Sequence, residues 1–166
     1  MVQRVHTVAR DLLAALRSGE ISSRELLELF LRRIEAADPA LNAVVTLDAE
    51  RARRLAGAAD EAKARGERTG PLGGLPITIK DTIETEGIRT TAGAPWLAGH
   101  VPDRDATAVS RLKAAGAIVF GKTNCPLFGG DAQSTNVVFG TTGNPWALDR
   151  SPGGSSGGSA AALAAG

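Results

Sequence analysis

The chain has 166 residues, 43% of them hydrophobic and 22% charged, which fits one globular domain and argues against a disordered or collagen-like sequence. Nineteen Lys+Arg against eighteen Asp+Glu leave a formal net charge of +1, so there is no electrostatic case for nucleic acid or an anionic membrane as a partner. Aromatics are 4% with no Tyr, and there is one cysteine, Cys125, beside two histidines. That excludes an internal disulfide and argues against base-stacking platforms and a Cys/His zinc site.

The N-terminal stretch is interrupted by charge and reads as neither signal peptide nor membrane span. The expected location is cytoplasmic. The chain changes character near Gly70. Residues 1–70 carry twelve of the basic and eleven of the acidic residues but only four of the twenty glycines. They are expected to form an N-terminal helical segment. Ser22-Ser23-Arg24-Glu25 is a capping-box start with Ser22 as N-cap. Leu26, Phe30 and Ile34 recur at helical spacing after it, and Asp38-Pro39 is expected to end the helix. A second helix is expected from about Asp48 to Arg65.

Residues 71–166 alternate strand and helix signals. Leu75 to Lys80 is short, apolar and β-branched, and reads as a strand closed by a lysine. Asp105 to Ala115 reads as a helix with Asp105 as N-cap and Gly116 just past its end. Ala117 to Phe120 follows as a buried strand. Strand, helix, strand predicts an α/β architecture with parallel pairing. A loop-rich stretch from Thr123 to Pro152 leads to Gly153-Gly154-Ser155-Ser156-Gly157-Gly158-Ser159. An alanine-rich helix follows that loop.

Glycines let a backbone bend tightly and let a ligand approach closely, and a helix N-terminus offers free N–H groups. The loop lacks the lysine of a phosphate-binding P-loop. Gly153 to Gly157 formally matches a nucleophile elbow, yet no strand precedes it and no histidine follows it. A flexible linker is the plain alternative. Lysine can replace histidine as the base for a serine, because burial disfavours the charged ammonium. Ser110-Arg111-Leu112-Lys113 has the right spacing for such a pair but sits on an amphipathic helix and reads as surface. Lys80 closes an apolar strand, where a lysine is costly unless it meets a polar cavity or snorkels to solvent. Both readings of Lys80 stay open on the residues alone.

Gly74-Leu75-Pro76-Ile77-Thr78-Ile79-Lys80-Asp81, together with Pro152 to Ala162, resembles the amidase signature family. Asp105-Ala106-Thr107, Arg111-Leu112, Ala115-Gly116-Ala117, Gly121-Lys122-Thr123-Asn124, Phe139-Gly140 and Gly143 to Trp146 add to the likeness, which is strong over residues 70–166. The resemblance implies a mixed, twisted central sheet flanked by helices, with residues 71–166 forming the N-terminal part of that core. It implies a serine hydrolase cleaving carboxamides by a Ser–cis-Ser–Lys triad, with Lys80 as the lysine and Ser155 as the bridging serine after a cis peptide. Gly129 corresponds to a backbone substrate contact, and Asp81 and Ser156 to supports of the site. In the family the nucleophilic serine lies in a second glycine-serine loop roughly two dozen residues after the bridging serine. The 166 residues end before that loop, so the chain is expected to be a fragment that is inactive alone.

The resemblance implies no metal or organic cofactor. The implied partner is a small-molecule amide, with no direct nucleic-acid contact and a homodimer of the complete protein left open. The alternative function is the glutaminase component, or A subunit, of a tRNA-dependent amidotransferase. Cys125-Pro126-Leu127-Phe128-Gly129-Gly130-Asp131 departs from the Met-Asp-Glu-Phe-like stretch associated with that component, which favours a free-standing amidase.

Overall fold

The computed structural model describes residues 8–166. The first seven residues of the 1–70 segment, and with them the start of the stretch read for a signal peptide, lie outside the described residues. The fold is mixed α/β, as expected. Helix α1 spans Ala9–Ser18, α2 Ser23–Leu41 and α3 Ala49–Ala64. Strand β1 spans Val44–Leu47, β2 Pro76–Lys80 and β3 Ile118–Thr123. Helix α4 is Thr107–Ala114, the short β4 and β5 are Thr135–Asn136 and Gly140–Thr141, and α5 is Gly157–Ala165.

The strongest local signal is the start of α2. The Ser22 side chain accepts from Glu25 N–H, and the Glu25 carboxylate accepts from Ser22 N–H, which completes the capping box. The carboxylate of Asp60 on α3 adds a second cap, accepting Ser23 N–H at 2.7 Å and Arg24 N–H at 3.1 Å. At the other end the chain departs from expectation. The helix runs through Pro39 to Leu41. Proline sacrifices one backbone hydrogen bond there. Burial of Leu41 and the Asp38 carboxylate, which accepts the N–H groups of Ala43 and Val44, hold the last turn in place.

The helix α4 also corrects the sequence reading. It begins at Thr107, and its N-cap residue is Ala106, without a side-chain cap. Asp105 instead accepts from Glu86 N–H at 2.8 Å and from Lys113 Nζ at 2.7 Å. That is a tertiary and an i, i+8 contact, which a capping pattern does not encode. Gly116 does follow the helix in the left-handed region, with φ +94°. The helix α5 begins at Gly157, inside the glycine-serine run.

Among the described residues the main sheet has three strands in the order β1-β3-β2, with β2 parallel and β1 antiparallel to the central β3. β1 is a strand that the helical reading of residues 1–70 did not contain. It has four residues and no fully buried one, too few for periodicity to reveal. β3 is buried at every position and extends to Thr123, beyond the apolar run that ends at Phe120. Its side chains alternate between faces. Ile118 and Phe120 pack with Leu27, Ala52 and Ala56 of α2 and α3, and the Phe30 and Phe120 rings stack at 6.4 Å. Val119 packs with Ile79, Ile88 and Val109 on the α4 side. Helices therefore cover both faces, the arrangement that a strand–helix–strand unit needs.

Leu27 has no exposed surface at the centre of the α2–α3–β3 cluster. Leu27→Ala is expected to destabilise the chain by about 2–5 kcal/mol through lost burial and an unfilled cavity. A shift of the urea midpoint at unchanged slope would report it, and a loss under about 1 kcal/mol would contradict the packing described.

Candidate active site

β2 and β3 run parallel and end together, with Lys80 opposite Thr123. Sites in parallel sheets form beyond the carboxyl ends of the strands, and the polar loops of this chain gather there. Lys80 Nζ donates to Ser155 Oγ at 2.7 Å, joining side chains 75 residues apart. The peptide between Gly154 and Ser155 is cis. Ser155 and Lys80 are both half-buried.

The glycine-serine loop reaches Lys80 because its backbone is clamped at close range. Gly157 N–H donates to Ser134 Oγ at 2.9 Å, and Gly158 N–H to Asn124 O at 3.2 Å. The Ser159 and Thr123 hydroxyls share a hydrogen bond of 2.7 Å, tying the first turn of α5 to the end of β3. A Cβ on Gly158 would stand 2.4 Å from Asn124 N, and one on Gly154 would stand 2.6 Å from Ala132 C. Glycine is needed at both positions because neighbouring backbone occupies the space of a side chain. Asn124 is itself fixed, donating to Thr142 Oγ1 and Gly140 O and accepting from Asn136.

Gly129 closes the site from a third direction. Its φ is +72°, and a Cβ there would lie 3.5 Å from Ser155 Oγ and 3.7 Å from Lys80 Nζ. Lys80, Ser155 and Gly129, expected to act together, are thus brought together. Asp81 is fully buried. Its Oδ2 accepts from Thr91 N–H at 3.1 Å and Thr91 Oγ1 at 2.6 Å. Burial raises its pKa above the ordinary carboxyl value, against the lowering effect of those hydrogen bonds. Ser156 stands exposed at the N-cap position of α5, without a side-chain capping bond. Its place in the loop is next to the Lys80–Ser155 pair in sequence rather than in the pair's hydrogen bond.

Sequence reasoning assigned no role to Lys122, which also has no exposed surface. Its ammonium donates to Ile83 O, Thr85 Oγ1 and Thr90 Oγ1, using all three protons to hold the loop after Lys80. The signal was available, since a lysine inside a wholly buried strand raises the same question as Lys80. Ser110 is exposed and Lys113 pairs with Asp105, so that pair forms no site. Among the described residues there is no group of three or more His, Cys, Asp or Glu that could hold a metal ion. No described helix is long and apolar enough to cross a membrane.

A family model described as Amidase matches residues 25–166. The chain belongs to the amidase signature family. It is 53% identical over 156 residues to the A subunit of the glutamyl-tRNA(Gln) amidotransferase of Roseiflexus sp. (strain RS-1), covering 94% of this chain and 32% of that protein. It is 45% identical to the corresponding protein of Streptomyces coelicolor (strain ATCC BAA-471 / A3(2) / M145), covering 97% and 32%. Among solved structures, the native peptide amidase of Stenotrophomonas maltophilia matches with a TM-score of 0.90 at 38% identity, over 96% of this chain and 34% of that one. A 6-aminohexanoate cyclic dimer hydrolase matches with 0.87 at 38%, over 99% and 33%. This amidase-family chain thus spans about a third of the length of these relatives.

Burial lowers the pKa of Lys122 from 10.5 to about 8. Between those values the unfolded chain holds the proton and the folded chain releases it, so stability contributed by this group rises with pH. The Cys125 thiol, pushed by burial from 9.0 to about 11, works in the opposite sense, and comparison with Lys122→Met isolates the lysine. The parent is expected to gain stability relative to that variant from about pH 8 to about pH 10.5 in urea titrations. A flat difference would mean that the ammonium stays charged on its three acceptors.

Proposed function

We propose that this chain carries the lysine and the bridging serine of an enzyme that hydrolyses a carboxamide C–N bond. The observation that supports the reading is the 2.7 Å hydrogen bond between Lys80 Nζ and Ser155 Oγ at the ends of parallel strands. Lys80, acting as a free amine, accepts the Ser155 proton while Ser155 takes the proton of an attacking serine hydroxyl, which in the family pattern lies in a later glycine-serine loop. The attacking oxygen bonds to the amide carbon to give a tetrahedral intermediate. Its collapse breaks the C–N bond, and the relay returns the proton to the leaving nitrogen. Water then attacks the acyl-enzyme by the same relay, releasing carboxylate. The Gly129 backbone borders the place where the acyl group must pass, and Asp81 braces the loop behind Lys80. Ser156 is assigned a supporting role at the exposed start of α5.

The first substrate reading is a free-standing amidase in the cytoplasm acting on a small carboxamide. The likeness to solved amidases at 38% identity and the Cys125 to Asp131 stretch support it. A second reading is the glutaminase component of a tRNA-dependent amidotransferase, and the names of the relatives at 45% and 53% identity support that. Both use the same relay and differ in what receives the ammonia. Glutamine hydrolysis that appears only with partner proteins and tRNA would select the second. Hydrolysis of simple amides by the protein alone would select the first.

In the full-length protein carrying this segment, Lys80→Ala and Ser155→Ala are each expected to lower kcat for ammonia release by about a thousandfold or more, with folding retained. The double variant should be little worse than either single one, because the two act as a unit. Wild-type turnover in Lys80→Ala would overturn the relay.

A further inference from the structure

Asp81 follows Lys80 directly. Its N–H donates to Thr123 O at 3.0 Å and its carbonyl accepts Ala92 N–H at 3.1 Å. Its carboxylate grips Thr91 through both the amide and the hydroxyl. The same Thr91 hydroxyl accepts Gly93 N–H at 3.0 Å, and Thr91 O accepts Ala94 N–H at 2.9 Å. Residues 91–94 therefore form a closed turn hung from the residue next to the site lysine. At the top of this turn Ala92 O accepts Phe128 N–H at 2.8 Å. Phe128 is followed by Gly129, which faces back onto Ser155 Oγ and Lys80 Nζ. The circuit starts and ends at Lys80.

The backbone at both ends of the Ala92–Phe128 bond is in an unfavourable state. Ala92 has φ +50° and Phe128 φ +49°, a region that residues with a Cβ avoid and that persists only where the surroundings impose it. Nothing in the local sequence at Ala92 favours that conformation. The Asp81 carboxylate holds the preceding residue, Thr91, which is itself fully buried, and the Asp81 carbonyl holds Ala92 N–H.

We propose that Thr91 is a positioning residue: it holds the Gly129 backbone at its working distance from the Lys80–Ser155 pair through the Asp81–Thr91–Ala92–Phe128 circuit. The inference rests on the hydrolytic reading above and adds to it what sets the wall facing the reacting carbonyl. Thr91 touches neither Lys80 nor Ser155 by hydrogen bond, so its effect passes through the placement of Gly129. Small misplacements of a substrate-positioning wall lower the rate much more than they disturb the fold.

The test uses the full-length protein, with ammonia release from acetamide, benzamide and L-glutamine as probe reactions and Lys80→Ala as the reference. Thr91→Val keeps the shape and removes the hydroxyl. It is expected to lower kcat by about 10- to 100-fold with a smaller change in KM, and Thr91→Ser is expected to restore kcat to within about twofold of the parent. Amide hydrogen exchange at Phe128 should quicken in Thr91→Val, not in Thr91→Ser, while amides of β3 keep their protection. Parental kcat in Thr91→Val, with Lys80→Ala inactive, would overturn the positioning role and leave the hydrolytic reading standing. Full activity in Lys80→Ala would overturn the hydrolytic reading, and the exchange at Phe128 would still decide whether Thr91 holds the loop. If Thr91→Val fails to fold, Thr91→Ala takes its place, and unchanged exchange at Phe128 in that variant overturns the proposal.

Discussion

A lysine ammonium can meet a serine hydroxyl only if the protein brings both polar groups to one point without leaving either stranded among apolar side chains. Lys80 sits where β2 ends, one residue past Ile79, which is buried in the core. Ser155 lies 75 residues later in a loop with no regular structure of its own. The hydrogen bond between them therefore depends on everything that fixes the loop to the strand ends. That requirement explains why so many buried polar groups cluster on this side of the sheet. Asn124, Ser134 and Thr142 are buried and hydrogen-bonded to backbone or to one another, and the buried Thr123 shares its hydroxyl bond with Ser159. Buried polar groups are stabilising only when satisfied, so this network holds one arrangement rather than several.

The two lysines of the parallel pair show how position divides roles. Lys122 is one strand over from Lys80, opposite Ile79 in the parallel register. It points among Thr85, Thr90 and the Ile83 carbonyl, which occupy all its protons. An ammonium with three protein acceptors is a structural clamp whose protons all point at the protein. Among the described residues Lys80 meets one protein acceptor, the Ser155 hydroxyl, and that hydroxyl keeps its own proton available. In the proposed relay the lysine held by fewer bonds is the one that exchanges a proton.

What the sequence disclosed follows from the range of the physics involved. The start of α2 was legible because a capping box is local, with both partners three residues apart. Lys80 was legible as an anomaly, a charge at the end of an apolar run, and its proposed role rests on the family likeness. Gly154 was legible as a glycine, but the reason for it is Asp131 and Ala132 pressing from another loop, which no local pattern records. β1 was hidden because its four residues pair antiparallel to β3 from a segment otherwise made of helices. Asp105 was misassigned because a good N-cap residue in the right place was drawn instead to Lys113 and to Glu86 N–H. At Asp105 tertiary partners outweighed a local capping preference of about 1 kcal/mol.

Cavity size is a poor guide to chemistry in this chain. A cleft of about 600 Å³ lies between α1, α2, α5 and the N-terminal half of β2. Leu12, Phe30, Ile34, Ile77, Phe120 and Ala162 help line it, and neither Lys80 nor Ser155 does. Its wall is apolar, with Arg33 turned to the Ala165 carbonyl and Asp38 engaged with the backbone of Ala43 and Val44. Such a surface can bury a hydrophobic element but offers no group to activate an amide. The Lys80–Ser155 site has the opposite character, built of backbone, hydroxyls and a lysine amine. Volume and apolar walls suit the burial of a greasy group, while hydrolysis of a resonance-stabilised bond needs convergent proton donors and acceptors. Here the two criteria select different parts of the molecule, and the chemical one decides.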